Sequence, residues 1–448
     1  MRLFSRTITV ILCYLISSQF IIAQTCPSIT AMAGTSTNTT ICLGQCASLT
    51  ASVTPVKSTT TYSVTSIPHN PYPYSGGSPA MGNVDDLWSP IINIGFNFCY
   101  FGNTFNQLVI GSNGEVTFDL SRANSPENYS INAVLPNTIE HPVNTICVAY
   151  RDINPAIGST STINTYTTGV APCRKFVVYW SNIPMFSCTS QLSTFQLVLH
   201  EGTNIIETYI NSSVACMAWQ SGKGLMGIQD GTGTTAIVPP GRNILTPWSA
   251  NNEAWRYVPT GANTYTVNWT GPSGFTATGL NAAPCPTATS NYTATMNVLN
   301  CDGTTTTFSS AIQVSVTPTP TAPIVATPTA VCRGNSSVLS STGASSYTWM
   351  PGGANTSSIT VTPSVTTTYT LTKQVGSCTS TQTITLVVRP TPTIVATSNP
   401  TVICGGGSAT LLLTVLLLIL GTLVLLQVLQ LWFLLLLPLF IPLWELIL

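Results

Sequence analysis

The chain has 448 residues, enough for two to four domains, with 6% charged residues and a formal net charge of zero. That excludes a basic face for nucleic acid and an acidic run for solvation or ion storage. Disorder needs low hydrophobicity together with high net charge, and this chain has neither. Its Thr, Ser, Val, Gly and Pro favour strands and turns, so the fold expected is all-β.

Arg2 and Arg6 flank the start of an apolar run over 8–22, and Ala23 precedes Gln24. This reads as a secretory signal peptide, residues 1–23. Tyr14, Ser17, Ser18 and Gln19 interrupt the run, which argues against a retained membrane anchor. Of 14 cysteines, Cys13 leaves with the signal and 13 remain. None forms the close C-x-x-C pair of zinc or redox sites. In an oxidising compartment most should be bridged, and the odd number leaves one without a partner.

Ile41-Cys42-Leu43-Gly44-Gln45 opens a frame that breaks off and resumes at Tyr265-Thr266-Val267-Asn268-Trp269, Tyr292 and Cys301. The reading is one β-sandwich, 24–65 plus 259–317, interrupted by an inserted domain, 66–258. Insertion at a loop tip is tolerated when the ends lie close together. Cys42 is expected to pair with Cys301.

Within the insert, 92–99 alternates, 107–110 is a short strand, and Ser112-Asn113-Gly114 is a hairpin turn before a return strand at 115–119. A meander follows over 175–183, 193–201 and 204–211. Its first and third strands run the same way, so the loop holding Cys188 lies at the same end as Cys216, and these two are expected to pair. Cys147 with Cys173 is a weaker pairing.

The intact frame lies in 318–390: Cys332, Trp349 17 residues later, Tyr369 20 after that, and Cys378 nine further on. Strands are expected at 336–341, 345–350, 357–362, 366–373 and 379–388. A Cys on each of two sheets can be bridged, with an aromatic packed on the bridge. A Cys332–Cys378 bridge would contribute roughly 4 kcal/mol by loop closure. Trp349, Tyr369, Trp269 and Tyr292 are the expected core aromatics. Thr-Pro runs at 317–320 and 390–392 read as stiff linkers.

From Leu411 the composition changes: 20 of the last 38 residues are Leu. A membrane helix or hairpin is one reading. Against it, Arg389 is the last basic residue, so no positive charge flanks the tail. The change also falls inside a third copy of the repeat, since Val402-Ile403-Cys404-Gly405 answers Val331-Cys332-Arg333-Gly334. Codons CTT-ATA-CTT-GGA, permitted for Leu418-Ile419-Leu420-Gly421, contain TAT-ACT-TGG in the neighbouring frame, which encodes Tyr-Thr-Trp. Its Trp falls 17 residues after Cys404. Phe440-Ile441-Pro442-Leu443 can likewise hide Tyr-Thr-Leu. Residues 391–448 therefore read as a truncated third repeat with an out-of-frame, Leu-rich end, which would also account for the odd cysteine.

Chemistry is sparse. The three histidines, His69, His141 and His200, sit in no metalloprotease motif, and no G-x-S-x-G or phosphate-loop pattern is present. His200-Glu201 at a strand end reads as a surface pair at a turn rather than a general acid/base. Calcium fits loop carboxylates of extracellular β modules; Asp85-Asp86, and Asp152 with Asn154, are the best donors, against a plain role in capping turns. Trp88, Trp219, Trp248 and Trp255 could stack on sugar rings, but in small sandwiches such residues are more often core plugs.

Phe96-x-Phe98, Phe101-Gly102, Leu108-Val109-Ile110, Ser112-Asn113-Gly114 and Val116-x-Phe118 resemble the opening of a nidogen-like extracellular domain. The flanking repeats resemble the PKD/Ig-like modules of surface and secreted proteins of gliding, type IX-secreting bacteria. The resemblance implies an extracellular adhesion or matrix role and carries over no binding residue. The expected protein is secreted or surface-displayed, disulfide-stapled and without catalytic activity. A glycan or protein is its expected ligand, and nucleic acid is not. Two alternatives are a carbohydrate-binding accessory region of a larger secreted hydrolase and a membrane-anchored receptor. The tail is checked in the bases encoding residues 411–448. They should contain Tyr-Thr-Trp in the neighbouring frame, and codons without it would sink the frameshift.

Overall fold

The computed structural model describes residues 26–391, 393–402, 408–419 and 422–434. The expected signal peptide, Cys404 and the end of the tail lie outside them. The chain divides into two compact units.

The first unit takes in Ala47–Pro284, Ser290–Gln313 and the segment up to Thr39. Its centre is two large antiparallel sheets. One runs Tyr62–Ser66, Ala250–Pro259, Ile206–Ser213, Leu192–His200, Lys175–Pro184, Thr162–Thr168, Ser78–Pro79. The other runs Ala236–Ile237, Gly224–Gln229, Thr145–Tyr150, Glu115–Thr117, Asn103–Ile110, Ile92–Tyr100. Side chains alternate across each strand. Phe176, Val178 and Trp180 therefore enter the core with Phe98, Ile110, Val116 and Ile146.

Val177 points the other way, yet it is buried with Val198, Tyr209 and Ala254 beneath Ile67 and Tyr72. On the second sheet, Cys147, Tyr150 and Leu225 point away from the main core and are covered by Ile131 and Leu135. Both sheets are thus covered on both faces. That is why Thr145–Tyr150 and Gly224–Gln229 are buried at every position instead of alternating.

A sandwich completes this unit. Ile29–Met32, Leu49–Val53 and Asn281–Ala282 form one sheet; Thr276–Thr278, Tyr265–Thr270 and Ser290–Leu299 lie side by side in the other. Trp269 is fully buried there and donates Nε1–H to the Gly279 carbonyl at 3.2 Å. Tyr292 is buried on the neighbouring strand, one residue before Thr293, the cross-strand partner of Thr270. Tyr62–Ser66, which falls before the expected insert boundary, is an edge strand of the first large sheet.

The second unit takes in Thr40–Cys46, Cys285–Thr289 and Val314–Leu448. Its strands, Ser337–Ser340, Ser346–Met350, Ser358–Val361, Thr367–Val375 and Cys378–Arg389, lie within two residues of those read from the alternation. Trp349 and Tyr369 share a core with Leu339, Leu371 and Leu386, and Trp349 Nε1–H meets the Thr356 carbonyl at 2.9 Å.

The cysteines of the frame do not pair as expected. Ala330–Cys332 runs parallel to the end of Cys378–Arg389, with Cys332 beside Arg389. Eleven residues of strand, about 35 Å, separate that end from Cys378, whereas a disulfide needs Cα atoms within about 7 Å. Cys378 bonds Cys42 instead, and Cys332 is exposed and unpaired among the described residues. Cys301 bonds Cys99 rather than Cys42, because strand Ile92–Tyr100 brings Cys99 to it. Cys173 bonds Cys26, which leaves Cys147 buried and free. Cys46 bonds Cys285, and Cys188 bonds Cys216.

The described part of the Leu-rich tail is extended. Thr393–Asn399, Ser408–Ile419 and Thr422–Leu434 form an antiparallel sheet. No helix among the described residues is long and apolar enough to cross a membrane. Peptide mapping of the unreduced protein should recover Cys42 linked to Cys378, with Cys332 open to alkylation in the folded state. A Cys332–Cys378 peptide would contradict this arrangement.

Candidate cation site

Three loops of the first unit meet beyond the strand ends of the second large sheet. Asp85 and Asp86 come from the loop before Ile92–Tyr100, Asn113 from the turn between Asn103–Ile110 and Glu115–Thr117, and Asp152 and Asn154 from the segment after Thr145–Tyr150. The Asn-Gly turn is tight, which buries Asn113 completely. Its Nδ2–H donates to Asp86 Oδ1 at 2.9 Å and to the Asn128 carbonyl at 3.3 Å, and its Oδ1 accepts from the Ile153 N–H at 3.0 Å.

One carboxylate oxygen of each of Asp85, Asp86 and Asp152 lies within 4.8 Å of the others. Asp152 is 5% exposed. Its Oδ2 accepts from Trp219 Nε1–H at 2.6 Å, and its Oδ1 has no partner. Asp85 Oδ2 accepts from Asn154 Nδ2–H, and its Oδ1 is also buried without a partner. None of the three makes an ion pair with Lys or Arg among the described residues. Two ionised carboxylates at this spacing repel by roughly 3 kcal/mol at an effective dielectric of 20. Burial, then the Asp86 charge, pushes the Asp85 carboxyl up to about 6. Burial, opposed by the Trp219 hydrogen bond and aided by Asp86 and Asp85, pushes Asp152 up to about 7.

Behind this group lies Glu127, which is 4% exposed. Its Oε2 accepts from Ser112 Oγ–H at 2.8 Å and from the Asn113 N–H at 2.9 Å. Burial and the charge of Glu115 hold its carboxyl well above the usual range. The converging donors are all carboxylate and amide oxygens. That set suits a hard cation such as calcium and offers no soft ligand for zinc or copper.

Asp85-Asp86 and Asp152 with Asn154, separate donors in the sequence, are one site in the fold. Trp219 and Glu127, which support it, carry no local sequence signal, because each reaches the site from far along the chain. Trp88 and Trp248 are buried, and Trp219 and Trp255 pack against the main core, so none is a free sugar platform.

His200 and Glu201 are not a surface pair. His200 is buried with Nε2 2.9 Å from Glu207 Oε2, and Arg256 Nε–H donates to Glu207 Oε1 at 2.7 Å. Burial pushes Glu207 up, but His200 and Arg256 outweigh it and hold it near 2. Glu201 instead takes two hydrogen bonds from the Arg174 guanidinium at 2.9 and 2.7 Å and one from its backbone N–H at 2.8 Å. That ion pair lines a cavity of about 700 Å³ whose other polar groups include Asn97, bonded to Asp302 at 2.8 Å. Arg174 and Glu201 are therefore paired with each other, and Lys57 also lines the cavity.

Residues 61–272 match a family model described as "NIDO related". The chain thus contains a nidogen-related domain within an all-β, multi-sheet protein. Solved structures that are weakly similar include two Ig-domain proteins. One, titled "Structure of amphioxus IgVJ-C2 molecule", is 18% identical and covers 29% of this chain and 91% of that one, with a TM-score of 0.17. The other, the N-terminal four Ig domains of Dscam1 isoform 6.9, is 8% identical over 81% of this chain and 73% of that one, with a TM-score of 0.16. Superpositions this poor carry no structural argument. No curated protein shows significant similarity to the chain.

Protons compete with any cation here, since Asp85 and Asp152 must be ionised to bind it. Calcium affinity should be full above about pH 8 and fall roughly a hundredfold by pH 5.5, as pH drops through the values of Asp152 and Asp85. Asp152→Asn should abolish the calcium response. It should also stabilise the cation-free protein at pH 8 by on the order of 1–3 kcal/mol, because a carboxyl raised by folding opposes folding once ionised. Calorimetric titration and thermal melts across this pH range check both.

Proposed function

We propose that this is a secreted or surface-displayed modular protein without catalytic activity. Its sandwiches act as structural spacers, and its nidogen-like domain is an adhesive head whose loop face is held by calcium. The observation that carries the reading is the Asp85, Asp86 and Asp152 group: convergent oxygen donors, Asp152 buried and the other two half-buried, with partnerless atoms on Asp85 and Asp152, in a domain matching the nidogen-related model. His141 and His200 support it from the other side, each buried against a glutamate rather than beside an accessible nucleophile. Five disulfides among the described residues suit export, as does the resemblance of the repeats to PKD/Ig-like modules of type IX-secreting bacteria.

A calcium-ordered loop face is a rigid presenting surface, since loops carry recognition when a scaffold holds them. The reading predicts that the full chain, immobilised, binds extracellular glycans or matrix proteins in calcium. Chelation or Asp152→Asn should weaken that binding at least tenfold. Binding indifferent to both would detach adhesion from the acidic loops. Turnover of a glycan on the same array would favour the hydrolase alternative.

A further inference from the structure

The opposite face of the second sheet carries a different set of donors. Glu115 opens strand Glu115–Thr117, and Cys147 is its direct cross-strand neighbour in Thr145–Tyr150. His141 comes from the long covering segment between these strands, its ring edge-on to Tyr150 at 4.6 Å. All three are essentially inaccessible to solvent. Glu115 Oε2 lies 2.8 Å from His141 Nδ1 and 3.6 Å from Cys147 Sγ, and Sγ lies 3.9 Å from Nδ1. Glu115 Oε1 is buried and has no partner.

We propose that Glu115, His141 and Cys147 form a structural site for a divalent transition metal of zinc's kind. Tetrahedral zinc, with bonds of about 2.3 Å to sulfur and about 2.0–2.1 Å to nitrogen and oxygen, sets its donors about 3.3–3.6 Å apart. The triangle observed departs from that by up to about half an ångström. A thiolate, an imidazole and a carboxylate are the ligand types zinc prefers. Bidentate binding by Glu115 would use the partnerless Oε1 as a fourth donor atom. Metal entry displaces the Cys147 thiol proton to solvent, and His141 ligates through Nδ1 with its own proton on Nε2. Thiolate and carboxylate charges then balance a dication, so the buried centre is neutral.

The site has a mechanical reason to exist. Between Thr117 and Thr145 the described chain forms no strand and only the short 3-10 turn Leu120–Arg122. This segment nevertheless covers the outer face of the sheet with Ile131 and Leu135, around Cys147 and Tyr150. A metal shared by His141 on the cover and Glu115 and Cys147 on the sheet clips the cover down, and long loops gain most from such clips. Burial and the Glu115 charge raise the Cys147 thiol, so without metal it is an inert thiol and not a nucleophile.

The folded full chain, purified with disulfides intact, should bind one zinc per molecule. X-ray absorption should show one sulfur at about 2.3 Å. Cobalt should give a thiolate charge-transfer band, and chelation should make the cover between 129 and 140 sensitive to protease. Cys147→Ser should lower zinc affinity at least tenfold and remove the band, while the calcium response of the Asp152 group persists. Should that variant fail to fold, the wild-type absorption spectrum still decides. A folded wild type that takes up no zinc, or binds it through nitrogen and oxygen alone, overturns the site.

Discussion

The side chain of Asn113 ties together segments that are far apart in sequence. It holds Asp86 from the loop before one strand, the Asn128 carbonyl from the covering segment, and the Ile153 N–H from the loop after another. A buried amide must satisfy its donors and its acceptor or cost the fold about 1–3 kcal/mol per missing bond. Here those bonds fix where three loops lie. The carboxylates converge because their loops are anchored to a group that has no other way to be satisfied. The turn itself requires Gly114, which adopts φ +89° with Phe195 and the Ala149 carbonyl packed close behind it.

A second constraint follows from covering both sheets on both faces. Segments with little regular structure must lie over apolar strands, and their backbone polar groups need partners. The protein solves this with buried polar side chains. Gln196 accepts from the Tyr72 N–H at 2.8 Å and donates to its carbonyl at 2.9 Å, pinning one cover. Gln229 accepts from the Asn137 N–H at 2.9 Å and donates to the Asn137 carbonyl, pinning the other. Arg151 is buried without a carboxylate: backbone carbonyls and the Trp248 ring at 4.1 Å receive its guanidinium, and burial lowers it to about 9. Among the described residues, Arg151, Lys373, Glu115, Glu127, Asp152 and Glu207 are charged-type side chains spent on interior order rather than solubility.

How much of this was legible in the sequence depended on the range of the interaction. Strand alternation in 336–388 located five strands within two residues, because alternation is local. Trp349 and Tyr369 were legible as core for the same reason. Cysteine partners were not. A repeat frame suggested Cys332 with Cys378, but a parallel pairing at the far end of the last strand separates them. The acidic residues of the cation site were readable as donors, and their convergence was not, since it rests on an amide bonded to two other loops. The pair of His141 with Glu115 had no signal at all, being a product of cross-strand register and a returning loop.

By itself, the sequence determined the strand-rich class, the hairpin at Asn113-Gly114, the core aromatics and the types of donor available. These follow from residue chemistry and spacings of two to ten residues, which the chain carries wherever it folds. Tertiary structure alone decided which cysteines meet, that both large sheets are covered on both faces, and that Asp85, Asp86 and Asp152 share one site while Glu115, His141 and Cys147 share another. Those depend on sheet order and register, which join residues tens to hundreds of positions apart and leave no trace in any local window.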